Sequence, residues 1–436
     1  MSDELSTTAL RGPALTFSGD PFEAGVAATM RYENDAIVAM AGGLITHFGP
    51  ASTVRPQLPP GTHIKECGRD ALILPGFIDC HVHYPQTQII GAFGEQLLEW
   101  LDRYTFVAEQ QFADPAHARA VANVFLDECL RNGTTTVASF CTVHAQSVDA
   151  FFEAAAARGM RTIAGKCLMD RNAPEALRDT AQRGYDESKA LIARWHGKGR
   201  ASYAVTPRFA ISSTPEQMQM TGALWNEHPG TYLQSHVSEN RAEVELAREA
   251  YPERGGYLDI YDHYGQLGPR AIYGHGIWLT EPELRRLHES GTAIAHCPTS
   301  NQFLGSGLFD LRKARQRDRP VRIGLATDVG AGTSLSMLKT MGAAYQVAQL
   351  GGGSLSAPLA LYLATRGAAQ ALYLDDRIGS IAVGMEADLI VLSTKSTPLI
   401  DFRMQHCESL EESLFVQMTM ADERAVTQRI VAGQLR

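Results

Sequence analysis

The chain has 436 residues, 44% of them apolar and 20% charged, which is the composition of an ordinary globular protein and excludes a disordered or fibrous one. That length fits two average domains or one large α/β barrel with additions, and is ample for a substantial core. A net charge of −9 at pH 7 argues against a nucleic-acid or anionic-membrane surface, since either needs a cationic patch, so the expected partner is small and not strongly anionic.

The first residues, Met1 to Arg11, include Asp3 and Glu4 and contain no apolar core of signal-peptide length. No stretch approaches the run of about eighteen apolar residues that crosses a membrane. Cysteines at 67, 80, 129, 141, 167, 297 and 407 are odd in number and never spaced Cys-x-x-Cys. That pattern disfavours a disulfide framework or a zinc ribbon and suits a reducing compartment, so the expectation is a soluble cytoplasmic protein.

From Leu15 to about Ile73 the text is β-like in short runs, Asp35 to Met40 and Leu44 to Phe48, separated by Gly42-Gly43. Eight strand candidates follow: Leu72–Asp79, Thr134–Ser139, Arg161–Met169, Ser202–Thr206, Thr231–His236, Arg270–Gly274, Thr292–Ala295 and Val321–Thr327. Between them lie stretches with helical spacing, Ala116–Arg131, Val148–Arg158, Tyr185–His196, Pro215–Glu227 and Glu281–Ser290. Thr214-Pro215 and Thr280-Glu281-Pro282 place a capping residue ahead of a proline in the first turn. Strand and helix in alternation predict a parallel sheet, and eight repeats predict a closed (β/α)8 TIM-like barrel. Past a helical Leu359–Leu372, strand-like text resumes at Asp388–Leu392 and Ala425–Ala432. A barrel has no use for these strands. Both termini are therefore expected to form one small β-sandwich domain, from residues 1–73 and 383–436, beside a barrel of residues 74–382.

Barrel enzymes carry their chemistry where strands end. The first barrel strand ends in His81-Val82-His83, and positions two apart on a strand face the same way, so both imidazoles can serve one ion. The fourth ends in Thr206-Pro207-Arg208-Phe209, the fifth in His236-Val237-Ser238-Glu239, the sixth in His275-Gly276, the seventh in His296, the eighth in Thr327-Asp328. Singly, each has an ordinary reading: His236 as a core histidine, Glu239 as the acidic first turn of a helix, Asp328 as a cap, Arg208 as a rim ion pair, Phe209 as packing. Jointly, several strand ends bearing zinc-ligand types make a metal centre the better account.

These segments resemble the amidohydrolase superfamily in its mononuclear metal-dependent deaminase branch. Within that branch, the run Pro75 to Gln86, Leu98-Glu99-Trp100-Leu101, Thr206 to Phe209, Ser235 to Asn240 and His296 to Asn301 are similar to the guanine deaminase family. Val107 stands where that family usually has proline, which touches the stiffness of a loop. The resemblance implies one zinc per subunit held by His81, His83, His236 and Asp328, with Fe2+ also compatible with such ligands. It implies Asp328 as acceptor of a water proton, His275 as orienting that water, and Glu239 as proton carrier. It further implies a purine base, guanine, bound by His83, Tyr84, Pro85, Gln86, Trp100, Arg208, Phe209, His236 and His275, converted to xanthine and ammonia by a homodimeric enzyme. Binuclear relatives place a bridging lysine at the end of the fourth strand; Thr206-Pro207-Arg208 has none. His406-Cys407-Glu408 imitates half of another zinc-deaminase motif, but no Pro-Cys-x-x-Cys follows. Two alternatives share the barrel: a deaminase of another aminated heterocycle (triazine, pyrimidine or oxidised purine), and a non-catalytic assembly homologue, which should lack ligands that this chain retains.

Overall fold

Eight parallel strands stand at the centre of the computed structural model, which describes residues 7–94 and 96–436; Asp3 and Glu4 lie outside them. The strands are β1 (Phe77–His83), β2 (Thr134–Phe140), β3 (Arg161–Gly165), β4 (Ala201–Pro207), β5 (Tyr232–Val237), β6 (Ala271–His275), β7 (Ala293–His296) and β8 (Arg322–Leu325). Each pairs in parallel with its successor. The ring is drawn together by the chain just past β8: Asp328 N donates to His81 O at 3.0 Å, and His83 N donates to Val329 O at 2.8 Å. The bonds that close the barrel thus run through the residues suspected of chemistry.

Helices return the chain between strands, among them Pro115–Arg131, Ala145–Arg158, Ala181–Trp195, Pro215–Glu227 and Glu281–Ser290. The capping signals act as read: Thr214 accepts from Gln217 N, and Thr280 forms a reciprocal box with Glu283. Of the described residues, no helix is long and apolar enough to cross a membrane. All seven cysteines are free thiols.

Strands from the two ends meet in one mixed sheet of the order Gln434–Leu435, Val426–Val431, Leu389–Ser393, Ala71–Pro75, Thr8–Phe17, Met30–Ala41, Leu44–Pro50, with His63–Glu66 also on Thr8–Phe17. One apolar cluster on this sheet gathers Leu10, Val38, Ile45, Ile73, Leu389, Val391 and Ile430. The N- and C-terminal parts pair directly, Leu389–Ser393 running antiparallel to Ala71–Pro75.

Three expectations are corrected. The run Leu72–Asp79 is two strands: Ala71–Pro75 belongs to the terminal sheet and Phe77–His83 to the barrel, with Gly76 between them, where a Cβ would lie 2.2 Å from Thr135 Oγ1. The run Arg161–Met169 breaks at Lys166, whose ammonium turns away to the carboxylate of Asp179 and the Val143 carbonyl. Leu359–Leu372 is two helices, Ala357–Leu363 and Arg366–Ala371, parted by Thr365 at φ −131°, ψ −99°. The strand Thr8–Phe17 accommodates Pro13 because its pairing shifts register between Gly12 and Ala14, and a bulge tolerates a residue without an N–H.

Candidate metal and active site

The carboxyl ends of β1, β5, β6 and β8 bring His81, His83, His236, His275 and Asp328 to one buried point. His236 Nε2 lies 3.2 Å from His81 Nε2 and 3.1 Å from His83 Nε2. Asp328 Oδ1 lies 3.4 Å and 3.3 Å from the same two nitrogens. In a tetrahedral zinc site with Zn–N bonds of 2.0–2.1 Å, ligand atoms stand about 3.3 Å apart. Four edges of the donor set His81, His83, His236 and Asp328 thus have the length such an ion requires. A wider grouping with His275 in place of His83 spans up to 4.8 Å. His275 Nε2, 3.7 Å from Asp328 Oδ2, borders the tight set, and the shorter edges favour His83.

Neighbouring groups orient these rings. His236 Nδ1 donates to the Arg208 carbonyl at 2.6 Å, and His275 Nδ1 donates to Asn301 Oδ1 at 2.9 Å, so each turns the lone pair of Nε2 into the cluster. Asp79, within β1, accepts from Thr327 N at 3.0 Å and from the Thr327 hydroxyl, fixing the backbone that presents Asp328. His275 and Asp328 hold left-handed φ values of +73° and +51°. For residues with a Cβ such angles are strained, and here they sit at the ends of β6 and β8 where the side chains must turn inward.

The electrostatics suit a cation. Burial pushes His83 down to about 4, against the pull of Asp328. His236 is held well below the ordinary imidazole range by burial and by His81, His83 and His275. Neutral imidazoles at physiological pH are the form that binds a metal. Asp328 is driven upward by burial, but the hydrogen bonds from His81 and His83 outweigh this and hold it well below the usual carboxylate range. Glu239 goes the other way: burial, then the charge of Asp328, raise it to about 8. Its Oε1 accepts from Ser306 Oγ at 3.1 Å, and its Oε2 lies 3.3 Å from His275 Nε2. At neutral pH it holds a proton that it can give.

Glu239, His83, His236, His275 and Asp328 share one cavity with Gln86, Trp100, Arg208 and Phe209, and Leu97, Leu101, Leu304 and Ala331 complete its lining. Its free volume is about 30 Å³, room for one or two waters. Tyr84 is outside this lining: its ring packs on Phe112 and Phe151 and its hydroxyl donates to Ser147 O at 2.7 Å, so its role is support. Pro85 opens a 3-10 turn, Tyr84–Ile89, and also stays off the lining. His296 packs its ring on Phe309, away from the convergence. Arg208 proves to be both a lining residue and an ion pair, its Nη1 2.7 Å from Glu109 Oε2. Glu109, Asn301, Ser306 and Asp79 are the residues that sequence reasoning missed. Nothing in the hydrophobic pattern marks a carboxylate or amide that supports a neighbour.

A barrel with this rim defines a metal-dependent hydrolase, and the chain belongs to the amidohydrolase family, whose model matches residues 72–435. It is 46% identical over 438 aligned positions to the guanine deaminase of Escherichia coli (strain K12), covering 100% of this chain and 99% of that one. The solved E. coli guanine deaminase superposes with a TM-score of 0.96 at 45% identity over 98% of this chain and 99% of the other. Guanine deaminase from C. acetobutylicum, solved with guanine in its active site, superposes with a TM-score of 0.88 at 25% identity, covering 99% and 100%.

Proposed function

We propose that this chain is a hydrolase that deaminates guanine to xanthine and ammonia, with a single zinc held by His81, His83, His236 and Asp328. The observation that carries the reading is one cavity lined by His83, His236, His275 and Asp328, by Glu239, whose carboxyl burial raises to about 8, and by Gln86, Arg208 and Phe209. The similarity to guanine deaminases over the full chain supports it.

The metal, when bound, lowers the pKa of a coordinated water from 15.7 toward about 7. Asp328, whose carboxyl stays ionised, takes a proton from the attacking water. Glu239 gives its proton to a ring nitrogen beside C2, so that C2 accepts the water's electron pair as the new C–O bond forms. The proton taken by Asp328 passes to the exocyclic amine, the C2–N bond breaks with its electron pair going to nitrogen, ammonia leaves, and the new hydroxyl gives its proton back to Glu239 as the C2 carbonyl forms. His275, fixed by Asn301, orients the water. Gln86 and Arg208 meet the lactam edge of the base, and Phe209 lies against its face. The buried setting keeps bulk water from competing for these protons. A homodimer in the cytoplasm of a purine-degrading cell is the setting that the resemblance implies.

A triazine, pyrimidine or oxidised purine would use the same metal residues and differ at Gln86 and Arg208. Zinc-loaded protein given guanine and a panel of these heterocycles decides the matter by ammonia release and ultraviolet absorbance. Guanine is expected to give stoichiometric ammonia and xanthine, with loss of activity on chelation and recovery with zinc. No ammonia from guanine, with turnover of another member of the panel, reverses the reading.

A further inference from the structure

Glu109 lies in the short helix Phe106–Gln110, just after a π-helical turn at Leu101–Thr105, and is 1% exposed. Its two carboxylate oxygens are divided between the two polar residues of the recognition wall. Oε1 accepts from Gln86 Nε2 at 3.3 Å, and Oε2 accepts from Arg208 Nη1 at 2.7 Å. The other end of Gln86 is also engaged, since its Oε1 accepts from Gly330 N at 3.2 Å.

Those contacts leave the Gln86 amide one orientation. A carboxylate only accepts and a backbone N–H only donates, so the amide nitrogen must face Glu109 and the amide oxygen must face Gly330. Gln86 Nε2 keeps its second N–H for a ligand, while Oε1, which keeps one lone pair, is turned to the Gly330 amide. Arg208 has only donors, and it is buried with a charge partner on one side. Burial pulls its guanidinium down, but the charge of Glu109 more than offsets this, and the group stays a cation. The indole N–H of Trp100, in the same lining, has no partner among the described residues. The polar side chains of this wall thus offer a ligand chiefly donors: the second Gln86 N–H, the Arg208 guanidinium and the Trp100 indole N–H.

We propose that Glu109 is a positioning residue that sets the hydrogen-bond polarity of the wall, so that the site selects a purine with a carbonyl, and rejects one with an amino group, at the ring position facing Gln86 and Arg208. This rests on the purine deaminase reading above. In guanine the O6 carbonyl and the adjacent N7 lone pair are both acceptors and match two donors. In 2,6-diaminopurine the 6-amino group would set N–H against N–H, a mismatch that a buried site penalises heavily.

The test compares kcat/KM for guanine and for 2,6-diaminopurine in the zinc-loaded enzyme, both being deaminated at C2. Wild type is expected to favour guanine by at least about 100-fold. In Glu109→Gln the neighbour of Gln86 is no longer an obligate acceptor and its amide is free to turn. The ratio is expected to shrink at least about tenfold, through a rise in guanine KM larger than the fall in kcat, with metal content unchanged. Glu109→Asp, which keeps the charge, is expected to restore most of the preference. An unchanged ratio in Glu109→Gln overturns the assignment. Should that variant fail to fold, competition in wild type decides: hypoxanthine is expected to inhibit at least about tenfold more strongly than adenine, and equal inhibition overturns the proposal. Absence of any guanine turnover by wild type would instead remove the function reading itself, a separate and visible result.

Discussion

Two of the places where this molecule draws charge out of water do so in opposite ways. Where the terminal sheet meets the barrel, Glu386 takes the guanidinium groups of Arg161 and Arg200, and Arg200 also pairs with Asp388, while Arg200 Nη1 donates to the Gly159 carbonyl at 2.8 Å. Each charge there has an opposite. Burial pushes Glu386 up, yet the Arg161 hydrogen bond and the charges of Arg200 and Arg161 hold it below its ordinary value. At the mouth of the barrel, by contrast, His83 is pushed down to about 4 and Glu239 up to about 8. A matched network joins two parts of a fold. Mismatched groups, converging on a point and shifted in opposite directions, mark where an ion and a reacting molecule complete the balance.

The sharpest way to break that contrast is to remove the ion. Chelation is expected to abolish deamination, and elemental analysis of the active protein should find about one transition metal per chain. Full activity in metal-free protein would mean that the convergence of His81, His83, His236 and Asp328 has another purpose. Next in size is Glu239→Gln, which keeps the shape and removes the movable proton. Its kcat should fall by about 100- to 10,000-fold while metal content and the fold are retained. Normal turnover would take Glu239 out of the mechanism.

The matched side is tested by Glu386→Ala, which leaves Arg161 and part of Arg200 buried without their carboxylate. Removing one partner of a buried pair costs about 3–5 kcal/mol, so chemical denaturation should show a loss of that order. The kcat/KM of the surviving folded enzyme should be close to wild type. A large loss of activity at unchanged stability would show that the interface network reaches the site.

Much of the site was legible because chemistry repeats at strand ends. His81-x-His83 announces itself by strand alternation, and His236, His275 and Asp328 follow once eight strands are counted. The strand boundaries were harder, since Leu72–Asp79 is a single apolar run and only packing of Gly76 against Thr135 shows that it serves two sheets. Tyr84, which the family resemblance implies as a contact to the base, lies within a 3-10 turn that sends its ring into the Phe112, Phe125 and Phe151 cluster. Glu109 and Asn301 were invisible for a different reason. Their partners are distant in sequence (Gln86, Arg208 and His275) and neither shows a spacing that a linear pattern can register.

The comparison is finest between two buried glutamates whose stability effects run in opposite directions with pH. Glu386 has a folded value below its unfolded one, so its contribution is present above about pH 4.5 and is lost as pH falls. Glu243 closes the first turn of the helix Arg241–Ala250, accepting from Glu239 N at 2.8 Å and Asn240 N at 3.2 Å, with the Tyr257 hydroxyl on its other oxygen. Burial and the neighbouring Glu239 raise it to about 7. Between about pH 4.5 and 7 the folded state therefore holds a proton that the unfolded state releases, and stability falls as pH rises through that window. Glu243→Gln keeps an oxygen for the two backbone donors and removes the titration. The difference in unfolding free energy between wild type and this variant should drift by about 1–3 kcal/mol across the window, in favour of the variant at the upper end. A flat difference would mean that Glu243 is ionised in the fold and belongs with Glu386 on the matched side.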